Sequence, residues 1–332
     1  ALGVALLRHI WPRARLGSAI GWNAMAVALS GAAGPTIGSA ILSVASWPWL
    51  FAVNLPVGLV MLAMSRGLPD VQGTGKRLDV ASVVLNAASF GALVIGIDVV
   101  VRAPWLGLAL LALAAGGLWT LVRREMHDPA PLIPIDLLRG RAFRMSVIAS
   151  ICCFMAQMTS YVALPFYLQH SLGQGTLATG LYMTPWPLAV ACAAPLAGRL
   201  SDRVPTARLC AIGGACLAVG LACAAAWPLQ GRALPLVAFM LVCGLGFGFF
   251  QTPNNRNMQL SAPHARGGAA GGMQGAARLL GQTAGAVLMN VLFGLAAVEV
   301  APRIGLALAA CLALAAALVS TLRMESGSTA PR

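Results

Sequence analysis

Charged residues interrupt this chain at intervals that membrane helices explain. From Leu16 to Ser65, fifty residues pass without an Asp, Glu, Lys or Arg. One crossing of a bilayer takes roughly 20 apolar residues, so this window holds two helices back to back. Further charge-free windows run over 80–97, 103–122, 145–198, 209–231, 233–255, 279–298 and 304–322. The window 145–198 is again of double length, broken by polar residues around His170 to Gly175. The pattern predicts ten helices, at about 17–43, 48–65, 80–100, 104–122, 145–168, 176–197, 207–228, 233–252, 270–296 and 302–322. Period-2 alternation is absent, and a helix satisfies its own backbone in lipid, so every span is predicted helical. The fold class is an all-α membrane protein.

Composition agrees. The chain is 59% hydrophobic and 9% charged, against roughly 25% charged residues in a soluble domain. Its net charge of +13 would suggest nucleic acid in a soluble protein, but the distribution says otherwise. With the chain start in the cytoplasm, nineteen basic residues, from Arg8 to Arg332 and including Arg256, Arg278 and Arg323, fall on the cytoplasmic side. Arg102, Arg232 and Arg303 alone fall on the other. This bias orients both termini toward the cytoplasm of an inner-membrane protein, and no nucleic-acid site is expected. The eight cysteines all lie in apolar spans without metal-ligand spacing and read as small buried hydrophobes. No metal and no cofactor is expected. The chain starts at Ala1 rather than Met and has no signal-peptide order of charged and apolar parts, so it reads as a fragment.

Three blocks follow. Residues 1–66 hold two helices joined at Val44–Trp47. Residues 67–143 hold two more, with the polar links Arg66–Asp79 and Arg123–Arg144. Residues 144–332 hold six. Within the second link, Pro131 to Arg139 is apolar enough to lie along the membrane surface. Six helices is the size of one transporter half, divisible into two inverted three-helix repeats.

On the first helix, Gly31, Gly34, Pro35 and Gly38 share one face. Glycines there admit a second backbone, and Pro35 removes a hydrogen bond and bends the helix. Arg13-x-Arg15-x-Gly17 precedes this helix, and Trp47-Pro-Trp-Leu-Phe-Ala-Val-Asn-Leu-Pro-Val-Gly58 follows it. Together these strings resemble helices five and six of the major facilitator superfamily, in its fourteen-span drug:proton antiporter family of the EmrB/QacA type. Gly34, Pro35 and Gly38 match that family's antiporter motif, while Ser30 and Ser39 stand where it has glycine. A second string, Gly198-Arg-Leu-Ser-Asp202-Arg203-Val-Pro205 followed by Arg208, resembles the superfamily's cytoplasmic-loop motif, with Pro205 in place of a glycine. An Asp at a helix end pairs with neighbouring Arg and with a helix N-terminus, and the resemblance implies a latch broken when the two halves rock. Pro205 is expected to weaken it. Leu164–Gln169, Gly180–Pro185 and the glycine-rich stretch Gly267–Gly285 resemble later helices of the same family.

The resemblance implies that the chain holds helices five to fourteen. Residues 1–66 would end an N-terminal bundle, 67–143 would be linker helices, and 144–332 the C-terminal bundle, with the preceding helices of the same protein as its missing partner. Candidate cavity residues are Asn23, Gln157, Thr159, Tyr161, Tyr182 and Trp186, although each residue of this kind taken alone more often serves packing or a helix-to-helix hydrogen bond. Phe250, Gln251 and Asn255 are weaker candidates. Such a lining takes bulky lipophilic compounds by area and stacking. Proton coupling needs an intramembrane carboxylate, and Asp98 near a helix end is the single poor candidate. With no nucleophile arrangement or ATP-binding motif, the chain reads as a transporter and not an enzyme. The expected partners are protons, the bilayer and a small molecule, often cationic. A metabolite permease and a transport-inactive truncated membrane protein are the alternatives.

Overall fold

The computed structural model describes residues 6–7, 10–67, 79–100, 103–125, 135–226, 234–263 and 266–327. Within these ranges it leaves the side chains of residues 13, 32–40, 42–43, 98, 122, 125, 135, 176–177 and 324–327 undescribed. The elements are α1 (Leu16–Val44), α2 (Trp49–Ala52), α3 (Asn54–Ser65), α4 (Val80–Val99), α5 (Pro104–Glu125), α6 (Ile135–Arg139), α7 (Arg141–Phe166), α8 (Thr176–Met183), α9 (Pro185–Ser201), α10 (Thr206–Ala226), α11 (Leu234–Ser261), α12 (Gly267–Leu295) and α13 (Ala301–Gly327). There is no strand among the described residues. The all-α membrane fold is the one the charge-free windows demand.

Every expected segment contains helix, and seven helices among the described residues are long and apolar enough to cross a membrane. The segment predicted at 48–65 is shorter and interrupted at Val53, and the one at 176–197 is broken between Met183 and Pro185. Pro185 has no N–H to donate, so the hydrogen-bond ladder lapses there. Other helices outrun their windows: α7 starts at Arg141, α11 continues to Ser261 and α13 to Gly327. A charge ends a hydropathy window but not a helix, because Arg is a good helix former. Part of Pro131 to Arg139 lies outside the described residues, and its end forms α6.

The six-helix block is one packed bundle. α7 packs on α12 and α13, α13 on α10, α10 on α11, and α11 on α9, while α1 lies along α9. Glycines bring the backbones together. A Cβ on Gly285 would sit 2.5 Å from the Met155 carbonyl oxygen, and one on Gly246 2.5 Å from the Leu217 nitrogen. That is how helices associate where lipid removes the hydrophobic drive between them. The enclosed core includes Phe154, Leu164, Tyr167, Trp186, Leu217, Phe247 and Phe250. Tyr167 to Ser171 widens into a π-turn, and Gly173, at φ +64°, turns the chain toward α8. Only glycine takes that conformation without strain. Of the cysteines, Cys153, Cys210 and Cys243 are buried as expected, but Cys192, Cys223 and Cys311 are exposed. An apolar thiol suits lipid as well as protein. Among the described residues no group of His, Cys, Asp or Glu could hold a metal.

α2 and α3 bury no residue. α4 and α5 form a hairpin that meets the bundle chiefly through α12. Asp79 closes the start of α4, accepting from the Ala81 amide at 3.1 Å and the Ser82 hydroxyl at 2.9 Å. Arg124 of α5 lies 3.1 Å from the same carboxylate. The Ser82 hydrogen bond, aided by Arg124, holds the Asp79 carboxyl below its ordinary 3.8. A lowered carboxyl pKa stabilises the fold above the unfolded pKa, and the contribution is lost as pH falls through the folded one. The protection of the Ala81 and Ser82 amides, measured against their intrinsic exchange rates, is therefore expected to hold at neutral pH and to fall only on acidification below about 4. Protection lost well above the carboxylate range would contradict this.

Candidate functional site

Helix α1 begins with no acidic residue in its first turn and no side-chain cap of its own. Its free N–H groups need an acceptor, and Asp202 at the end of α9 supplies one. The Gly17 amide donates to Asp202 Oδ1 at 3.0 Å and the Ser18 amide to Oδ2 at 3.2 Å. Arg256 of α11 reaches Oδ1 with Nε at 3.1 Å, and both side chains are almost withdrawn from solvent. One carboxylate thus joins three helices, through a helix dipole and an ion pair at once.

Glycines make this possible. A Cβ on Gly17 would lie 2.6 Å from the Gly198 carbonyl oxygen, and one on Gly21 2.5 Å from that of Ala194. A Cβ on Gly198 would in turn collide with the Gly17 carbonyl. Of the predicted loop residues, Gly198 and Asp202 meet here, whereas Arg203 and Arg208 are exposed. Pro205 does not disturb the arrangement. It stands just before α10, where its carbonyl accepts from Arg208 at 3.0 Å. Sequence reasoning missed Gly17, Ser18 and Arg256 as partners of Asp202. Their only signals were a glycine and an arginine, 185 and 54 residues away.

The antiporter-motif residues fare differently. Gly34, Pro35 and Gly38 are helical within α1, and their side-chain positions lie outside the described residues. Gly31 is exposed, and a Cβ there would meet nothing within 4 Å. Among the described glycines of α1 the close approach comes about three and four turns before Gly31, at Gly21 and Gly17.

The cavity candidates divide. Tyr161 and Trp186 meet edge to face, with ring centroids 5.1 Å apart. Gln157 lies one turn before Tyr161 on α7. Trp186 is buried, and its indole Nε1 has no partner. Tyr182 packs half-buried against this cluster. Thr159 instead is fully buried and donates to the Gly285 carbonyl at 3.3 Å, so it serves α7–α12 packing rather than a cavity. Asn23 is exposed on α1. Phe250 is core and Asn255 is buried. The Asp98 side chain lies outside the described residues.

A second polar cluster was not foreseen. Buried Arg323 donates to Ser146 Oγ at 2.6 Å and to Asn254 Oδ1 at 3.1 Å. Asn254 and Asn257 both return to Ser146, through its carbonyl at 3.1 Å and its hydroxyl at 2.7 Å. It ties together the ends of α7, α11 and α13 beside the Asp202 junction.

The profile of the family described as Major Facilitator Superfamily matches residues 1–286. A relative in Escherichia coli (strain K12), described as the uncharacterized transporter YebQ, is 42% identical over 333 residues, which is 98% of this chain and 72% of that protein. The multidrug resistance protein Stp of Mycobacterium tuberculosis (strain CDC 1551 / Oshkosh) is 31% identical over 302 residues, covering 87% of this chain and 55% of Stp. The riboflavin transporter RibZ of Clostridioides difficile (strain 630) is 25% identical over 297 residues, 88% of this chain and 64% of RibZ. The chain thus spans from 55% to 72% of the length of these relatives. Taken with the membrane-length helices, the matches define a multi-span membrane transporter, not an enzyme. The chain belongs to the major facilitator superfamily.

Proposed function

We propose that the protein exports lipophilic organic compounds across the inner membrane in exchange for protons, by alternating access between two helix bundles. The observation that carries this reading is the Asp202 junction. One carboxylate holds the start of α1 against the end of α9 and α11, across 184 residues of sequence. Such a contact is made in one conformation and broken in the other, which is what a rocking transporter needs. In this reading α1 belongs to the fourteen-span antiporter type, Gly34, Pro35 and Gly38 seal its moving face, and both termini are cytoplasmic. The aromatic group around Tyr161 and Trp186 contributes to the substrate cavity. Drug efflux is supported by the printed name of Stp. Metabolite export is the second reading, favoured by the printed name of RibZ.

Cells sensitised to drugs and expressing the protein from its native gene are expected to accumulate less ethidium, and an uncoupler should abolish the difference. Gly34→Leu is expected to remove efflux while leaving the amount of protein in the membrane unchanged. Unchanged ethidium accumulation in the parent would count against drug efflux. Efflux that survives Gly34→Leu would take that helix face out of the mechanism.

A further inference from the structure

Between Leu137 and Val298 the sequence holds one acidic residue, Asp202, and Arg256 pairs with it. Arg278 stands in the same stretch, inside α12. It lies eleven residues beyond Gly267, about 16 Å along the axis at roughly 1.5 Å per residue. The topology count places it on the cytoplasmic side, and by position it lies inside α12, a helix long and apolar enough to cross a membrane. Among the described residues no carboxylate forms an ion pair with it.

Its direction follows from its neighbours. Gln274, one turn earlier on the same face, is buried and accepts from Gln259 of α11 at 3.5 Å. Leu279, the next residue, is 64% exposed on the outer surface. Arg278 therefore lies on the side of α12 turned toward α7 and α11, with its side chain exposed. Its guanidinium carbon is 5.7 Å from the Phe154 ring centroid, and Phe154 stands edge to face on Phe247, 5.6 Å away. Gln157 and Tyr161 lie one and two turns beyond Phe154 on the same side of α7. An arginine inside a span is costly and is found where it faces an internal cavity and meets an anion. Here the side chain stays exposed beside Phe154.

We infer that Arg278 selects the charge of the transported compound, and that its ligand is an organic anion: a flat, lipophilic molecule with a carboxylate or another single negative group. The guanidinium takes the negative group, and the half-buried rings of Tyr161 and Tyr182 take the apolar body. The inference rests on the export reading above and replaces the expectation of a cationic substrate, so ethidium, a cation, is expected to be exported less well than fluorescein.

Fluorescein and rhodamine 6G test it, being xanthene dyes of opposite charge. In energised everted vesicles the parent protein is expected to accumulate fluorescein about tenfold over rhodamine 6G, a preference that one good charge contact supplies. Arg278→Gln should erase the ratio, Arg278→Lys should keep most of it, and Arg278→Asp should turn it toward rhodamine 6G. A ratio within one preparation does not depend on how much of a variant folds. In the parent, an aromatic carboxylate should compete with fluorescein and an aromatic amine should not, which gives the answer without any variant. A preference for rhodamine 6G, or an Arg278→Gln ratio equal to the parent's, overturns the inference and leaves export standing. Transport of neither dye overturns the export reading and the inference together.

Discussion

Asp202→Ala is expected to abolish transport and to lower the thermal stability of the purified protein, more than any other single change at the α1–α9 junction. The substitution removes the acceptor of two helix-terminal N–H groups and leaves Arg256 uncompensated in a site almost closed to solvent. Breaking a buried pair by deleting one partner costs about 3–5 kcal/mol, chiefly through the charge left behind. Asp202→Asn separates the contributions. The amide oxygen still caps α1, but the ion pair is gone, so its stability should fall between parent and Asp202→Ala. Unfolding curves in detergent, read beside dye efflux, decide the matter. An Asp202→Ala protein that melts with the parent would show that the junction holds nothing together.

Gly198→Val is the second large effect, and it acts by volume alone. A Cβ at this position collides with the Gly17 carbonyl and sits 3.1 Å from the Gly21 Cα, so the obstacle is backbone, which no side-chain rotation relieves. Overpacking of this kind costs about 1–3 kcal/mol. Here it should also lift α1 from Asp202 and break its hydrogen bonds. Gly58→Val and Gly180→Val are the controls, since a Cβ at either meets nothing within 4 Å. The expected result is loss of efflux and of thermal stability for Gly198→Val, with both controls near the parent. If the three variants behave alike, glycine spacing at the junction is incidental.

The two predictions bear on different parts of what the residues announced. Gly198 and Asp202 were visible as members of a recognisable string, and their placement at one junction agrees with that string. Arg203 and Arg208, equally part of it, are exposed, because a loop at a membrane surface offers water to long cationic side chains at no cost. Thr159 was legible as a polar residue in a span but not as a packing residue. A hydroxyl in a helix interior has the same sequence signature whether it faces a cavity or a neighbouring carbonyl. Arg278 counted toward topology, and the structure places it inside α12 with an exposed side chain and no ion pair among the described residues.

The sequence by itself determined that this is a helical membrane protein, roughly where each helix runs, and which family it resembles. Those properties follow from local facts: lipid tolerates few charges, and a helix satisfies its own backbone over about 20 residues. The tertiary structure decided which helix ends meet. That Asp202 caps α1, that Arg256 rather than Arg203 is its counterion, and that Tyr161 finds Trp186 all depend on pairing between helices. In lipid the apolar faces of all helices are nearly equivalent, so hydrophobic pattern carries little information about partners. The choice falls to backbone approach at a few glycines and to polar groups that must find one another.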